Sequence, residues 1–131
     1  MHAGNIDDTE PFVTLDGSGI REIAGLKSLP SRNGSLAEAT VPEGGTTIEH
    51  FHRTSEELYF FTHGTGRIRV DGEEREVAPG DCVVLPPGAH HKLWNTGEGP
   101  LRLLCCCAPP YTDEDTVLLE DAAAAGTEPG S

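Results

Sequence analysis

The sequence predicts an all-β chain, a small antiparallel β-barrel or jelly roll built as one domain. Three observations carry this. Its 131 residues include 16 Gly and 10 Pro, which interrupt the chain too often for a helical bundle. Short segments rich in β-branched and aromatic residues recur at spacings of roughly 8 to 12 residues. No stretch between them sustains a helical period.

The elements follow in order. Residues 1–11 carry little apolar character and are expected to form a flexible N-terminus. Strands are then expected over 12–15, 20–24, 36–41, 46–51, 57–62, 67–70, 75–77, 82–85, 91–94 and 101–107, making residues 12–111 the barrel domain. Turn dipeptides separate them: Asp16-Gly17, Asn33-Gly34, Gly44-Gly45, Pro79-Gly80 and Thr96-Gly97. Asp71-Gly72, between two segments of alternating charge, is the clearest hairpin, with one solvated face. Residues 112–131 hold six acids and no base and end in an Ala run followed by Gly, Pro and Ser. They read as an acidic, largely disordered tail, with at most a short helix over 113–119.

Charge and cysteine content exclude several functions. Nine basic against 22 acidic residues give a net charge of −13, and no Lys or Arg follows Arg102. A basic footprint for nucleic acid or anionic lipid is missing, so neither partner is expected. The N-terminus resembles no signal peptide and no apolar run is long enough to span a membrane, so a cytoplasmic location is expected. The four cysteines, Cys82 and the run Cys105-Cys106-Cys107, form neither a disulfide framework nor a C-x-x-C metal site.

Histidine carries the chemistry. His50 and His52 sit two apart in an extended segment, so both imidazoles point to one face and Phe51 to the other. Paired neutral imidazoles are ready metal ligands, commonly joined by a carboxylate and a further His. Glu56 and Glu57 follow at once; His90 and His91 follow the turn Pro86-Pro87-Gly88. Two spaced sets enclose these residues. Gly44, His50, His52, Glu57 and Gly64 fit G-x5-H-x-H-x4-E-x6-G, and Gly80, Pro86, Gly88, His91 and Asn95 fit G-x5-P-x-G-x2-H-x3-N. In both runs the sequence resembles the cupin superfamily, here as a small single-domain metal-binding cupin. The resemblance implies that His50, His52, Glu57 and His91 bind one divalent transition metal, Fe, Mn, Ni, Zn or Cu, inside the barrel.

Strand parity assigns the neighbours. Glu57, Tyr59 and Phe61 share a face, which makes Tyr59 a candidate catalytic group, as proton donor or as acid or base if its pKa falls. Glu56, one residue out of register, is expected to face away, yet is kept as a candidate proton carrier and as the alternative ligand should the strand bulge. His90 is expected opposite His91, and Cys105 and Cys107 inward. Phe51, Leu58, Phe60 and Trp94 fall on outer faces, where a homodimer interface is expected. The resemblance implies a metal-dependent enzyme acting on a small polar or carboxylated molecule by Lewis-acid isomerisation, cyclisation, rearrangement or lyase chemistry, in bacterial specialised metabolism. Its alternatives are an Fe(II)-dependent dioxygenase and a non-catalytic metal-anchored binding or sensor protein.

Overall fold

The computed structural model describes residues 1–120, and its regular secondary structure is almost wholly β. Two sheets face each other. The larger runs in spatial order β1 (Phe12–Val13), β2 (Gly19–Gly25), β4 (Ser35–Val41), β11 (Leu101–Ala108), β6 (Glu56–His63) and β9 (Cys82–Leu85), with β3 (Leu29–Pro30) beside β2. The smaller runs β12 (Thr116–Leu118), β5 (His50–His52), β10 (His91–Asn95), β7 (Gly66–Val70) and β8 (Glu73–Val77). All pairings are antiparallel except the short β2–β3 pair.

Side-chain alternation builds the interior. Along β6, Glu57, Tyr59 and Phe61 are buried, whereas Glu56, Leu58 and Phe60 are exposed. The inner row of β11, Leu101 and Leu103, joins Phe61, Ile68, Val77, Leu85 and Leu93 in the apolar core. Full burial of each such side chain contributes about 1.5–3 kcal/mol. The β7–β8 hairpin turns at Asp71-Gly72 with φ of 48° and 85°, the doubly positive turn that suits the strand twist. At Gly64 φ is 80°, and a Cβ there would lie 2.6 Å from the Pro100 carbonyl oxygen, so only glycine fits. Asn95 ties the far end of β10: its Nδ2 donates to the carbonyls of Val41 (3.0 Å) and Gly99 (2.9 Å).

Three expectations are corrected. The strand over 46–51 is shortened to His50–His52, because the Ile48 amide donates to the Asp16 carbonyl (2.7 Å) while Thr47 N bonds Leu93 O (2.9 Å), drawing the chain out of a regular ladder. The short parallel strand β3 lies outside the expected strands. The domain boundary at 112 falls inside the fold. Residues 116–118 pair with β5, and no helix forms over 113–119. Asp115 anchors this strap: its carboxylate accepts from the Thr54 amide and hydroxyl (both 2.8 Å) and the Ser55 amide (3.0 Å). Glu120 accepts from the Glu49 amide (2.9 Å) and contacts the buried Lys92 ammonium. Side-chain partners supplied from distant strands offset the chain entropy that composition alone suggests would win. The rest of the expected disordered tail, 121–131, lies outside the described residues. In the N-terminal segment a single 3-10 turn, Ile6–Asp8, is capped by Asn5.

Candidate metal centre

Three strands deliver the four residues singled out by the spaced motifs. His50 and His52 come from β5, His91 from the start of β10 directly opposite His50, and Glu57 from β6 in the facing sheet. All four are buried, and one potential ligand atom from each lies within 4.8 Å of all the others.

The imidazoles are locked in the orientation a metal requires. His50 Nδ1 lies 2.7 Å from the Ile48 carbonyl and His91 Nδ1 lies 3.0 Å from the Ala89 carbonyl. A carbonyl only accepts, so each Nδ1 carries the proton. His52 Nδ1 lies 3.2 Å from Thr116 Oγ1, whose own proton goes to the Thr112 carbonyl (3.0 Å); His52 therefore donates as well. Each Nε2 is thereby turned toward the centre, where His52 Nε2 is hydrogen-bonded to Glu57. Glu57 Oε1 lies 3.2 Å from His52 Nε2 and 3.6 Å from His91 Nε2. Among the described residues, His91 Nε2 is the buried side-chain polar atom left without a hydrogen-bond partner. A buried orphan beside a carboxylate and two other imidazole nitrogens fits a divalent cation.

Electrostatics agree. Burial pushes the His91 pKa down, and neighbouring His50 adds to this, to about 4, so the ring is neutral at physiological pH. Burial also lowers His52, but the hydrogen bond and charge of Glu57 outweigh it and raise its pKa. Glu57 responds in kind: burial lifts it, whereas His52, His91 and the Cys107 thiol hold it below the ordinary carboxylate value. The Cys107 Sγ donates to Glu57 Oε2 at 3.1 Å, fixing the carboxylate from behind.

The cavity beside the four residues is bounded mainly by the larger sheet. Tyr59 lines it, with its ring centroid 5.9 Å from that of His91. Burial raises the Tyr59 pKa well above the usual value, with Glu57 adding to the effect, so the phenol keeps its proton. Cys105 and Cys107 face inward as expected, and burial, then Glu57, raises both thiols, so neither is a thiolate nucleophile.

Glu56 faces away from the centre, as strand parity predicts. β6 carries no bulge at this point; Glu56 pairs with Ala108, stands exposed on the outer face and reaches neither the ligand set nor the cavity. His90 is exposed and stacks on Phe51 at 5.1 Å, away from His91. Trp94 is covered within its own chain, with the Arg69 guanidinium 5.1 Å above its ring and Lys92 at 5.6 Å.

Two residues of the site were not anticipated. Thr116 arrives on the C-terminal strap, a long-range pairing with no local signal. Asp16 was read only as turn chemistry, yet its carboxylate lines the cavity, with Oδ2 3.7 Å from His50 Nε2. Burial pushes its pKa up, but His50 and the donors of Ser18 and Thr14 outweigh this and hold it below the ordinary value. The alternation Thr14, Asp16, Ser18 places three oxygen side chains on one face and was the available clue.

Comparison with known proteins gives the same picture. A family model described as "Cupin domain" matches residues 37–107. The uncharacterized protein MJ1618 of Methanocaldococcus jannaschii is 46% identical over 99 residues, covering 76% of this chain and 79% of that protein. The tetracenomycin polyketide synthase protein TcmJ of Streptomyces glaucescens is 25% identical over 67% of the chain, which spans 59% of it. In structure, Lactobacillus farciminis oxalate decarboxylase matches with a TM-score of 0.75 and 25% identity; 87% of this chain is covered, corresponding to 34% of that one. The Streptomyces nucleoside dehydratase Pac13 matches with a TM-score of 0.74 over 95% of this chain and 98% of its own, at 15% identity, a likeness of fold. With its two sheets, its spaced motifs and a match over residues 37–107, the chain belongs to the cupin family.

Proposed function

We propose that this chain is a metal-dependent enzyme that transforms a small molecule without net oxidation, by isomerisation, cyclisation, rearrangement or elimination. The observation that carries the reading is the set of three proton-locked imidazoles, whose Nε2 atoms converge with Glu57 and leave His91 Nε2 buried and unpartnered beside a cavity. His50, His52, Glu57 and His91 would hold the ion, and a divalent transition metal there would act as a Lewis acid on a substrate oxygen.

The chain's own groups do the remaining work. Tyr59, protonated, donates to a substrate oxygen or proton-deficient leaving group from the β6 wall. Cys107 and Thr116 hold Glu57 and His52 in place. The apolar walls exclude water from the reacting atoms. TcmJ, a polyketide synthase protein, supports a place in bacterial specialised metabolism, and the oxalate decarboxylase likeness supports non-hydrolytic chemistry. No helix of the described residues is long and apolar enough to cross a membrane, and the four thiols are free; we place the protein in the cytoplasm. A homodimer is supported by Leu58, Phe60 and Val84, exposed together on the outer face of the larger sheet.

The test is a screen of small carbonyl and hydroxyl compounds with metal-loaded and chelator-stripped protein, read by mass spectrometry. The proposal expects products of unchanged mass, or with a small neutral molecule lost, only in the loaded sample. Ligand-induced stabilisation without any turnover would assign the site to binding instead.

A further inference from the structure

Asp16 is a half-buried carboxylate of the cavity that takes no part in the metal-dependent reading. Asp16 sits in the loop between β1 and β2, and its two oxygens have different surroundings. Oδ1 is saturated, accepting from Thr14 Oγ1 (2.7 Å), Ser18 N (2.9 Å) and Ser18 Oγ (2.6 Å). Those three donors orient the group and turn Oδ2 toward His50 Nε2, 3.7 Å away at the edge of the ligand set. A carboxylate oxygen so placed accepts a hydrogen bond from whatever enters beside the metal.

The cavity walls restrict what that donor belongs to. Among the described residues no Lys or Arg lines the cavity, whereas Asp16, Glu22 and Glu57 do, beside apolar walls such as Val41, Leu93 and Leu103. A divalent ion held with Glu57 carries one net positive charge, and Asp16 cancels it. A carboxylate or phosphate ligand would meet no counter-charge from the protein and a like charge at Oδ2. A neutral molecule with a hydroxyl next to its metal-facing oxygen would meet complementary groups on both sides.

Resting on the metal-dependent reading above, we propose that Asp16 is a specificity-determining residue: it accepts a hydrogen bond from the hydroxyl of a neutral, largely apolar substrate and turns carboxylates away. The substrate class is then an α-hydroxy ketone or similarly arranged hydroxy-carbonyl compound.

The test compares the full chain with Asp16→Asn, both loaded with Co(II). Asn keeps an oxygen for Thr14 and Ser18 and puts an amide donor in place of Oδ2. Two matched probes, α-hydroxyacetophenone and phenylglyoxylate, are titrated by calorimetry and by the cobalt absorption spectrum. The expected result is equal Co(II) content in the two proteins and, in the wild type, a preference of about tenfold for α-hydroxyacetophenone, the size of one charge-assisted hydrogen bond; this preference is lost or reversed in the variant. An unchanged preference in Asp16→Asn overturns the proposal, as does loss of Co(II), which would make Asp16 a ligand. Should the variant not fold, the wild type decides alone: phenylglyoxylate bound as tightly as α-hydroxyacetophenone overturns the assignment. Failure of the wild type to bind Co(II) sinks the metal reading itself and is a separate result.

Discussion

Replacing Thr116 with Val tests whether the C-terminal strap prepares the metal centre. In the native protein Thr116 Oγ1 donates to the Thr112 carbonyl and so accepts from His52 Nδ1, which supports the tautomer whose Nε2 a metal can take. Valine has nearly the same shape and cannot accept. The Nδ1–H of a ring that is only 4% exposed would be stranded, at about 1–3 kcal/mol. The metal-free ring escapes that by keeping its one proton on Nε2, in the hydrogen bond that already joins it to Glu57 Oε1 at 3.2 Å. Metal must then displace the proton and break that hydrogen bond, so affinity falls about 10- to 100-fold. Competition for Zn(II) against a chromophoric chelator measures this, with Thr116→Ser as the control that keeps the acceptor. The fold should persist, because Thr116 lies on a three-residue edge strand. Equal Zn(II) affinity in the Val variant and the wild type would refute the argument that the strap sets the His52 tautomer.

Four further outcomes are expected. His52→Ala removes the metal while leaving a folded barrel by circular dichroism; full metal content in the variant counts against the ligand assignment. Glu56→Gln changes neither metal content nor turnover, since Glu56 stands on the outer face, and a large loss of activity would return it to the mechanism. Acid destabilises the metal-free protein. An unfolded His titrates near 6.5 and His91 in the fold near 4, so as pH falls through that window the unfolded chain binds the proton first and stability drops by about 3 kcal/mol. His52, raised in the fold, works in the opposite sense and offsets part of this below its own pKa, while Glu57, lowered, adds to the loss under pH 4.5. Urea midpoints that rise from pH 7 to pH 4 would contradict this balance. Phe60→Glu, at a side chain 44% exposed beside Leu58 and Val84, gives a monomer by sedimentation if that face pairs two copies; an unchanged dimer places the interface elsewhere.

Much of the site was legible because its logic is local. The two-residue spacing of His50 and His52 puts them on one face whatever surrounds them, and parity along 57–61 separates Glu57 and Tyr59 from Glu56 and Phe60. The Asp71-Gly72 turn was legible for the same reason, since two positive φ angles in a hairpin demand such residues. What was missed depends on distant partners. Residues 112–120 have the composition of a solvated tail, and it is Thr54, Ser55, Glu49 and Lys92, more than 25 residues away in sequence, that tie the carboxylates of Asp115 and Glu120 to the fold. Residues 46–49 have strand composition, but the Asp16 carbonyl captures the Ile48 amide. Trp94 looked like an interface residue because no sequence rule shows that Arg69 and Lys92 will cover it.

The central claim, that His50, His52, Glu57 and His91 form a metal centre, is tested most directly by elemental analysis of the purified chain, as isolated and after chelation and reloading. About one equivalent of a divalent transition metal per chain, regained after stripping, is the expected result. Less than about a tenth of an equivalent in either sample, with no uptake on addition of Fe(II), Mn(II), Co(II), Ni(II), Cu(II) or Zn(II), would contradict it.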